Sequence, residues 1–300
     1  MLLAVNINNT QIKIGGYRGT DLLFHWRIAT DREKTDDEYA MILRELFRHA
    51  ELQFAQVESV AISCVVPPLT DVFERLCRRY FGVSPLMVGP GVRTGMRIHY
   101  ENPKEVGADR IANAVAVFEK YGGPAIVVDF GTATTFTAVS AAGEFLGGAI
   151  APGVGISVEA LAEHAAQLPY VELAQPRAAI ARSTVTAMQA GIIFGAVGQV
   201  EEIIRRMRTE LGGEATVVAT GGWAEIILGE CHCFDHYDPL LTLEGLRLIH
   251  ERNRAEAAEP PAGPAARPAQ PTGTPAEPRG SRPAPAPAPA SPRGKRQDSP

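Results

Sequence analysis

Two short segments of this 300-residue sequence combine residue types that bind phosphate or move a proton. In Asp129-Phe-Gly-Thr-Ala-Thr-Thr135, glycine and small hydroxyl residues leave backbone N–H groups open to an anion, and the threonine side chains add further donors. Asp129 ends an apolar run, where its carboxylate can hold a cation that screens phosphate charge. The segment indicates a phosphate-binding turn, although an ordinary Gly/Thr hairpin has the same composition.

The second segment, Gly107-Ala-Asp-Arg110, lies near the start of an expected helix. Asp109 is suited to accept a proton from a substrate hydroxyl, and the planar guanidinium of Arg110 is suited to hold a carboxylate. The simpler alternative is an acidic residue in a first helical turn, which the helix dipole favours, beside a solvated arginine. A third segment, Ala219-Thr-Gly-Gly222, predicts a glycine turn that lets a nucleotide approach the backbone closely.

The strands expected around these segments form two similar series along the chain. Three short apolar runs open each series: residues 2–7, 11–16 and 22–28 in the first, and 125–129, 135–140 and 144–150 in the second. A tight link joins the first two runs of each series, and Val5–Thr10 aligns there with Val128–Ala133. We therefore predict an α/β fold of two duplicated domains, with mixed sheets flanked by helices, that face each other across a cleft.

Composition limits the folded part of the chain. Residues 255–300 contain 13 of the 23 prolines and no large apolar residue, so we predict a disordered Pro/Ala-rich tail. The chain has a net charge of −5 and the tail has six basic and four acidic residues, which leaves −7 on the body. An acidic body argues against a nucleic-acid partner. Without a charged leader or a membrane-spanning apolar run, we expect a soluble, cytoplasmic protein with no membrane partner.

Taken in order, the segments resemble the type III pantothenate kinases, a family of the acetate and sugar kinase, Hsp70 and actin superfamily. The resemblance extends from Met1 to Asn253. It also includes His25-Trp-Arg-Ile-Ala-Thr30, Ser63-Cys-Val-Val-Pro-Pro68, Val88-Gly-Pro-Gly91, Tyr100-Glu-Asn-Pro103, Gly147-Gly-Ala-Ile-Ala-Pro-Gly153 and Leu241-Thr-Leu-Glu-Gly-Leu246. It implies two ribonuclease-H-like (actin-like ATPase) domains, 1–121 and 122–254. It further implies ATP-dependent phosphorylation of pantothenate to 4'-phosphopantothenate, the first step of coenzyme A biosynthesis.

The resemblance also implies a role for individual residues. Asp109 matches the general base, and the substrate-binding positions are Tyr100, Gly107, Ala108, Asp109, Arg110 and Thr184. The nucleotide-binding positions are Asn6, Asn8, Asn9, Thr10 and Thr132. Asp129 matches the ligand of a monovalent cation, K⁺ or NH₄⁺, and ATP is expected with Mg²⁺. A homodimer is implied as well, in which both subunits contribute to the pantothenate site.

Several residues depart from the family pattern. Where the first phosphate motif of the family has an aspartate and a glycine, this sequence has Asn6 and Asn8. An amide lacks the negative charge that favours a divalent ion, and we expect the Asn8 side chain to crowd the phosphate approach while its backbone reaches a left-handed turn. Thr137 replaces an aspartate, and Ser183 replaces an asparagine before Thr184.

Two hypotheses follow from the resemblance and from these departures. The first is a pantothenate kinase whose turnover is slowed by Asn6 and Asn8. The second is a catalytically weak or inactive family member that binds pantothenate or a nucleotide and acts as a regulatory protein.

Overall fold

The computed structural model describes residues 1–257 and Ala286, so the rest of the predicted tail lies outside the described residues. The first five-stranded sheet contains β1 (Leu2–Ile7), β2 (Gln11–Arg18), β3 (Asp21–Ala29), β4 (Ser59–Cys64) and β5 (Leu86–Met87). The second contains β6 (Ala125–Phe130), β7 (Ala133–Val139), β8 (Phe145–Pro152), β9 (Thr216–Gly221) and β10 (His236–Tyr237).

Helices flank these sheets. They are α1 (Asp36–His49), α2 (Pro67–Leu76), α3 (Ala108–Tyr121), α4 (Val154–His164), α5 (Thr184–Glu210), α6 (Ala224–Leu228) and α7 (Leu241–Ala257). A capping box begins α1, in which Thr35 and Glu38 exchange side-chain and backbone hydrogen bonds. In the described part of the chain, no helix is both long and apolar enough to cross a membrane.

The two sheets have the same topology. Their strand orders are β3-β2-β1-β4-β5 and β8-β7-β6-β9-β10. In each sheet the first three strands in chain order pair antiparallel with one another. The fourth strand pairs parallel with the first, and the fifth pairs parallel with the fourth. The match confirms the predicted duplication. Asn6 of β1 and Asp129 of β6 occupy equivalent positions, each opposite a residue of the antiparallel neighbour and one of the parallel neighbour.

Helices α3 and α7 lie between the sheets in a shared apolar core. Ala4 and Ala61 of the first sheet and Val127 and Val218 of the second belong to the same buried cluster as the apolar residues of both helices. The two helices pack closely at Gly245, where a Cβ atom would lie 2.0 Å from the carbonyl oxygen of Ala112. Glycine at this position therefore sets how near α7 can approach α3.

The ends of three helices depend on the segments that flank them. Helix α3 begins at Ala108, after a separate 3₁₀ turn at Pro103–Glu105. Helix α2 ends at Leu76 and passes into a π turn at Cys77–Phe81. Helix α7 extends to Ala257, three residues into the segment predicted as tail, because alanine and glutamate are strong helix formers.

We expect Gly245→Ala to lower the free energy of unfolding by about 1–3 kcal/mol, because its Cβ must push α7 away from a backbone carbonyl. Urea denaturation measures this loss. Gly89→Ala is the matched control, since a Cβ there meets nothing within 4 Å. Equal stability of the two variants would show that the α3–α7 contact is not tightly packed.

Candidate functional site

The ends of the equivalent strands meet around a cavity of about 400 Å³. Its lining includes both predicted phosphate hairpins, the start of α3 and the turn after β9, through residues Asn8, Asn9, Thr10, Asp109, Arg110, Asp129, Gly131, Thr132, Gly222 and Trp223. The two hairpins touch, since the Thr10 and Thr132 hydroxyl oxygens lie 3.0 Å apart. The structure thus brings together the predicted nucleotide-binding hairpins and the predicted base.

Asn6 lies beneath the first hairpin and is 1% exposed. Its side-chain oxygen accepts a hydrogen bond from the Ser63 hydroxyl at 2.8 Å. The amide oxygen therefore has a hydrogen-bond partner within the protein. The aspartate of the family pattern would add a negative charge here, next to the same hydroxyl.

Asn8 adopts no left-handed backbone conformation, because Glu51 is the one non-glycine residue with positive φ in the described part of the chain. The expected left-handed turn was therefore wrong. At the equivalent Gly131 a Cβ would make only ordinary contacts, at 3.5 Å and beyond, so this hairpin geometry accepts a side chain. The Asn8 side-chain oxygen is nevertheless buried without a hydrogen-bond partner. Such an orphaned acceptor suits a donor brought by a ligand.

The Asp109 carboxylate lies in the first turn of α3 and accepts a hydrogen bond from the Arg110 backbone N–H at 2.8 Å. Burial, with a smaller contribution from the charge of Asp129, raises the pKa of Asp109 to about 6. Gly107 makes room for this carboxylate, because a Cβ at residue 107 would lie 2.6 Å from the Asp109 Oδ1 atom. A carboxylate with this pKa is well matched to general-base work near neutral pH.

Arg110 is 6% exposed, and in the described part of the chain its guanidinium forms no ion pair with a carboxylate. It donates instead to the Thr137 hydroxyl at 3.2 Å and to the Phe136 carbonyl at 3.1 Å. Its guanidinium carbon lies 5.5 Å from the centre of the Phe145 ring. A buried cation with only neutral partners suits an anionic ligand.

Tyr100 and Arg110 both lie against the Phe145 ring. The Tyr100 and Phe145 rings form an edge-on pair with their centres 6.3 Å apart. Two glycines of β8 lie next to the side chains of Tyr100 and Arg110. A Cβ at Gly147 would contact the Tyr100 ring, and a Cβ at Gly148 would lie 2.9 Å from a guanidinium nitrogen of Arg110. Tyr100 and the buried Ala108 of α3 pack in the same apolar cluster as Phe145, and neither of them lines the cavity.

Asp129 is held by a residue that sequence reasoning missed. The Asn113 side-chain amide donates to Asp129 Oδ2 at 3.0 Å, and its oxygen accepts from the Thr242 hydroxyl at 2.7 Å. Burial raises the pKa of Asp129, whereas the positive charge of Lys13 and the Asn113 hydrogen bond lower it. Asn113 follows Asp109 by one helical turn, and this spacing could have indicated that the two side chains lie on the same face of α3.

Lys13 and Trp223 also line the cavity and were missed. Lys13 lies directly opposite Asn6 in the β1–β2 hairpin, so counting the pairing from the turn could have found it. Trp223 directly follows the glycine pair of the turn after β9, and its ring is 39% exposed.

Thr184 does not lie in this cavity. It begins α5 and lines a separate groove between α4 and α5. The preceding Ser183 caps the helix by accepting a hydrogen bond from the Thr186 N–H, as an asparagine would, so the replacement at residue 183 keeps the local structure.

We expect Asp109→Asn to stabilise the protein by about 1–3 kcal/mol at about pH 7.5 and to change its stability little at about pH 4. The folded protein retains the Asp109 proton up to pH about 6, whereas the unfolded chain loses it at lower pH, so wild-type stability falls as the pH rises through this window. Asparagine keeps the acceptor and removes the buried charge. Urea denaturation at both pH values measures the difference, and an equal gain at both would contradict the assigned shift.

Solved structures with low sequence identity have a similar fold. A protein of Campylobacter jejuni described as a Baf family transcriptional activator matches with a TM-score of 0.55 and 18% identity, over 84% of this chain and 99% of that one. The activator of 2-hydroxyisocaproyl-CoA dehydratase from Clostridium difficile, solved with bound ADPNP, matches with a TM-score of 0.50 and 13% identity, over 88% and 99%. The predicted actin-like ATPase fold class is confirmed.

Sequence relatives are much closer. The type III pantothenate kinase of Moorella thermoacetica is 56% identical over 253 residues, which cover 84% of this chain and all of the relative. The type III pantothenate kinase of Geobacter sulfurreducens is 54% identical over 254 residues, with 85% of this chain and all of the relative covered. The family model described as type III pantothenate kinase matches residues 2–206. By this family model and by the identity with these relatives, this chain belongs to the type III pantothenate kinase family.

Proposed function

We propose that this chain transfers the γ-phosphate of ATP to the primary hydroxyl of pantothenate and so forms 4'-phosphopantothenate, the first intermediate of coenzyme A biosynthesis. The observation that carries the proposal is the pair at the start of α3. Asp109 has a pKa of about 6, and the adjacent Arg110 is a buried cation without an ion-pair partner in the described residues. Pantothenate has a hydroxyl for the first residue and a carboxylate for the second.

The reaction is a direct phosphoryl transfer. The pantothenate hydroxyl oxygen attacks the γ-phosphorus, the bond from that phosphorus to the β–γ bridging oxygen breaks, and ADP leaves. The hydroxyl proton passes to the Asp109 carboxylate. Because its pKa is about 6, this carboxylate is mostly ionised near neutral pH and is still a stronger base than an ordinary aspartate. The remaining residues position the two substrates and balance phosphate charge.

We propose that ATP binds as its Mg²⁺ complex, with the ion as part of the substrate. In the described part of the chain, no group of three or more His, Cys, Asp or Glu side chains could hold a metal ion. The residues fit an ion that retains its water, because the orphaned Asn8 oxygen can accept a hydrogen bond from such a water. When bound, Mg²⁺ would neutralise charge on the phosphate oxygens. Asn9, Thr10 and Thr132 would donate to those oxygens.

For Asp129 we propose a monovalent cation, K⁺ or NH₄⁺. One carboxylate oxygen accepts from Asn113, and no described residue donates a hydrogen bond to the other oxygen. The carboxylate lines the same cavity as the second phosphate hairpin. A cation held there would screen the charge between Asp129 and the phosphates.

We also propose a homodimer in which the partner subunit supplies Thr184 to the pantothenate site. This residue lines the groove between α4 and α5 rather than the cavity. Along the exposed side of α5, Ala187, Gly191 and Gly195 follow Thr184 at helical spacing and allow another helix to approach closely.

We further propose a cytoplasmic location and a division of the body into domains 1–121 and 122–254.

We expect the wild-type chain to sediment as a dimer, and Gly195→Trp to sediment as a folded monomer that no longer phosphorylates pantothenate. The bulky ring would fill the groove beside α5, where a Cβ meets nothing within 4 Å. Gly89→Trp, which is equally open, is the control away from this groove. Sedimentation velocity measures the state of both variants, and a monomeric, active wild type would overturn the shared site.

We expect pantothenate-dependent ADP formation in a coupled assay with Mg²⁺ and K⁺, and we expect Asp109→Ala to abolish it. The Asn6→Asp/Asn8→Gly double variant should raise kcat by about 10²–10³-fold if the missing carboxylate limits the transition state. Asp109→Asn tests the base separately, because it keeps the shape but cannot take the proton.

The outcomes are distinct. No ADP formation with pantothenate in either the wild type or the double variant would reject the proposed reaction. A wild type as fast as the double variant would reject impairment by Asn6 and Asn8. Activity that survives Asp109→Ala would remove Asp109 as the base.

A further inference from the structure

Lys13 of β2 lines the cavity together with both phosphate hairpins. Burial and the positive charge of Arg27 lower the pKa of its ammonium group, and the negative charges of Asp129 and Asp238 raise it. An ammonium that has lost part of its water is costly unless an anion compensates for its charge. The Lys13 ammonium in the cavity is therefore expected to have an anionic partner.

The described part of the chain gives this ammonium no carboxylate in ion-pair contact. Its hydrogen bond is to the Pro239 carbonyl oxygen, with a separation of 3.4 Å. An ammonium has three N–H donors, so this single long bond leaves two donors for a ligand. The flexible four-carbon stem of lysine lets the group move toward phosphate oxygens in the cavity.

Lys13 has two cross-strand partners, Asn6 of β1 and the positively charged Arg27 of β3. Lys13 and Asn6 are direct partners in the antiparallel β1–β2 pair, so their side chains lie on the same face of the sheet. The Asn6 oxygen is taken by the Ser63 hydroxyl, and the amide has no net charge. An aspartate at residue 6 would neutralise the ammonium across the strands, whereas the amide leaves its positive charge for a ligand.

We propose that the Lys13 ammonium binds the β- and γ-phosphate oxygens of ATP directly. In a chain with a carboxylate at residue 6, a divalent ion held there would supply positive charge to the phosphates. In this chain the Lys13 ammonium supplies that positive charge instead. The inference rests on the proposed function only in taking ATP as the phosphate donor. Its consequence is that this chain binds ATP after divalent ions have been removed.

The test is isothermal titration calorimetry of the full chain with ATP in EDTA. We expect Lys13→Met to raise Kd about 10- to 100-fold, because it removes a charge-assisted hydrogen bond, and Lys13→Arg to retain most of the affinity. Lys34→Met is the matched control, because Lys34 pairs with Asp31 outside the cavity lining. The melting temperature of each variant shows whether it is folded.

A second variant tests the strand pairing itself. In Asn6→Asp the new carboxylate should pair with Lys13, so we expect ATP affinity in EDTA to fall and Mg²⁺ to restore it. Wild-type binding of ATP that requires Mg²⁺, or equal affinities of wild type and a folded Lys13→Met in EDTA, would overturn the inference.

The kinase assay separates this inference from the proposed function. A chain that binds ATP in EDTA through Lys13 but phosphorylates no pantothenate supports the role of Lys13 and rejects the function. A chain that phosphorylates pantothenate but binds ATP only with Mg²⁺ supports the function and rejects the role of Lys13.

Discussion

The burial of α3 between the two sheets is the constraint on which the site depends. Ala112, Ala114 and Ala116 have no exposed surface, so the helix lies in apolar surroundings on several sides. This burial removes water from Asp109 and raises its pKa, and it also buries the guanidinium of Arg110. One turn later the same helix places Asn113 between Asp129 and Thr242. One helix thus fixes the proposed base, the proposed anion-binding group and the support of the carboxylate for which a cation is proposed.

Much of this arrangement could be predicted from local patterns. The matching links at Asn6 and Asp129 indicated the duplication, because each lies between two apolar runs whose spacing sets a hairpin. Asp109 and Arg110 stood out because an acid and an arginine follow a glycine at a helix start. The remaining contacts depend on distant segments. The pairing of Asn113 with Thr242 joins residues 129 positions apart, and no local pattern specifies it.

The two copies of the hairpin show what the replacements at residues 6 and 8 change. Sequence reasoning expected both a steric and an electrostatic effect. The equivalent Gly131 lies outside the left-handed region and has room for a Cβ, so the backbone does not require glycine. What changes is the distribution of charge: the second copy retains a carboxylate at Asp129, while the first presents an amide opposite the ammonium of Lys13. The two copies therefore differ in charge at these equivalent positions.

The position of α7 has a consequence for how the protein is made. This helix belongs to the last part of the folded chain, yet it packs against β1, β2 and β4 of the first sheet as well as against α3. On the ribosome, residues 1–121 emerge first, and the part of their sheet that α7 covers is then still exposed. That apolar part stays exposed until residues 241–257 have been synthesised and have left the exit tunnel, at about 5–20 residues per second. The N-terminal half must therefore wait for the C-terminal helix, and during this interval the nascent chain is most open to chaperones.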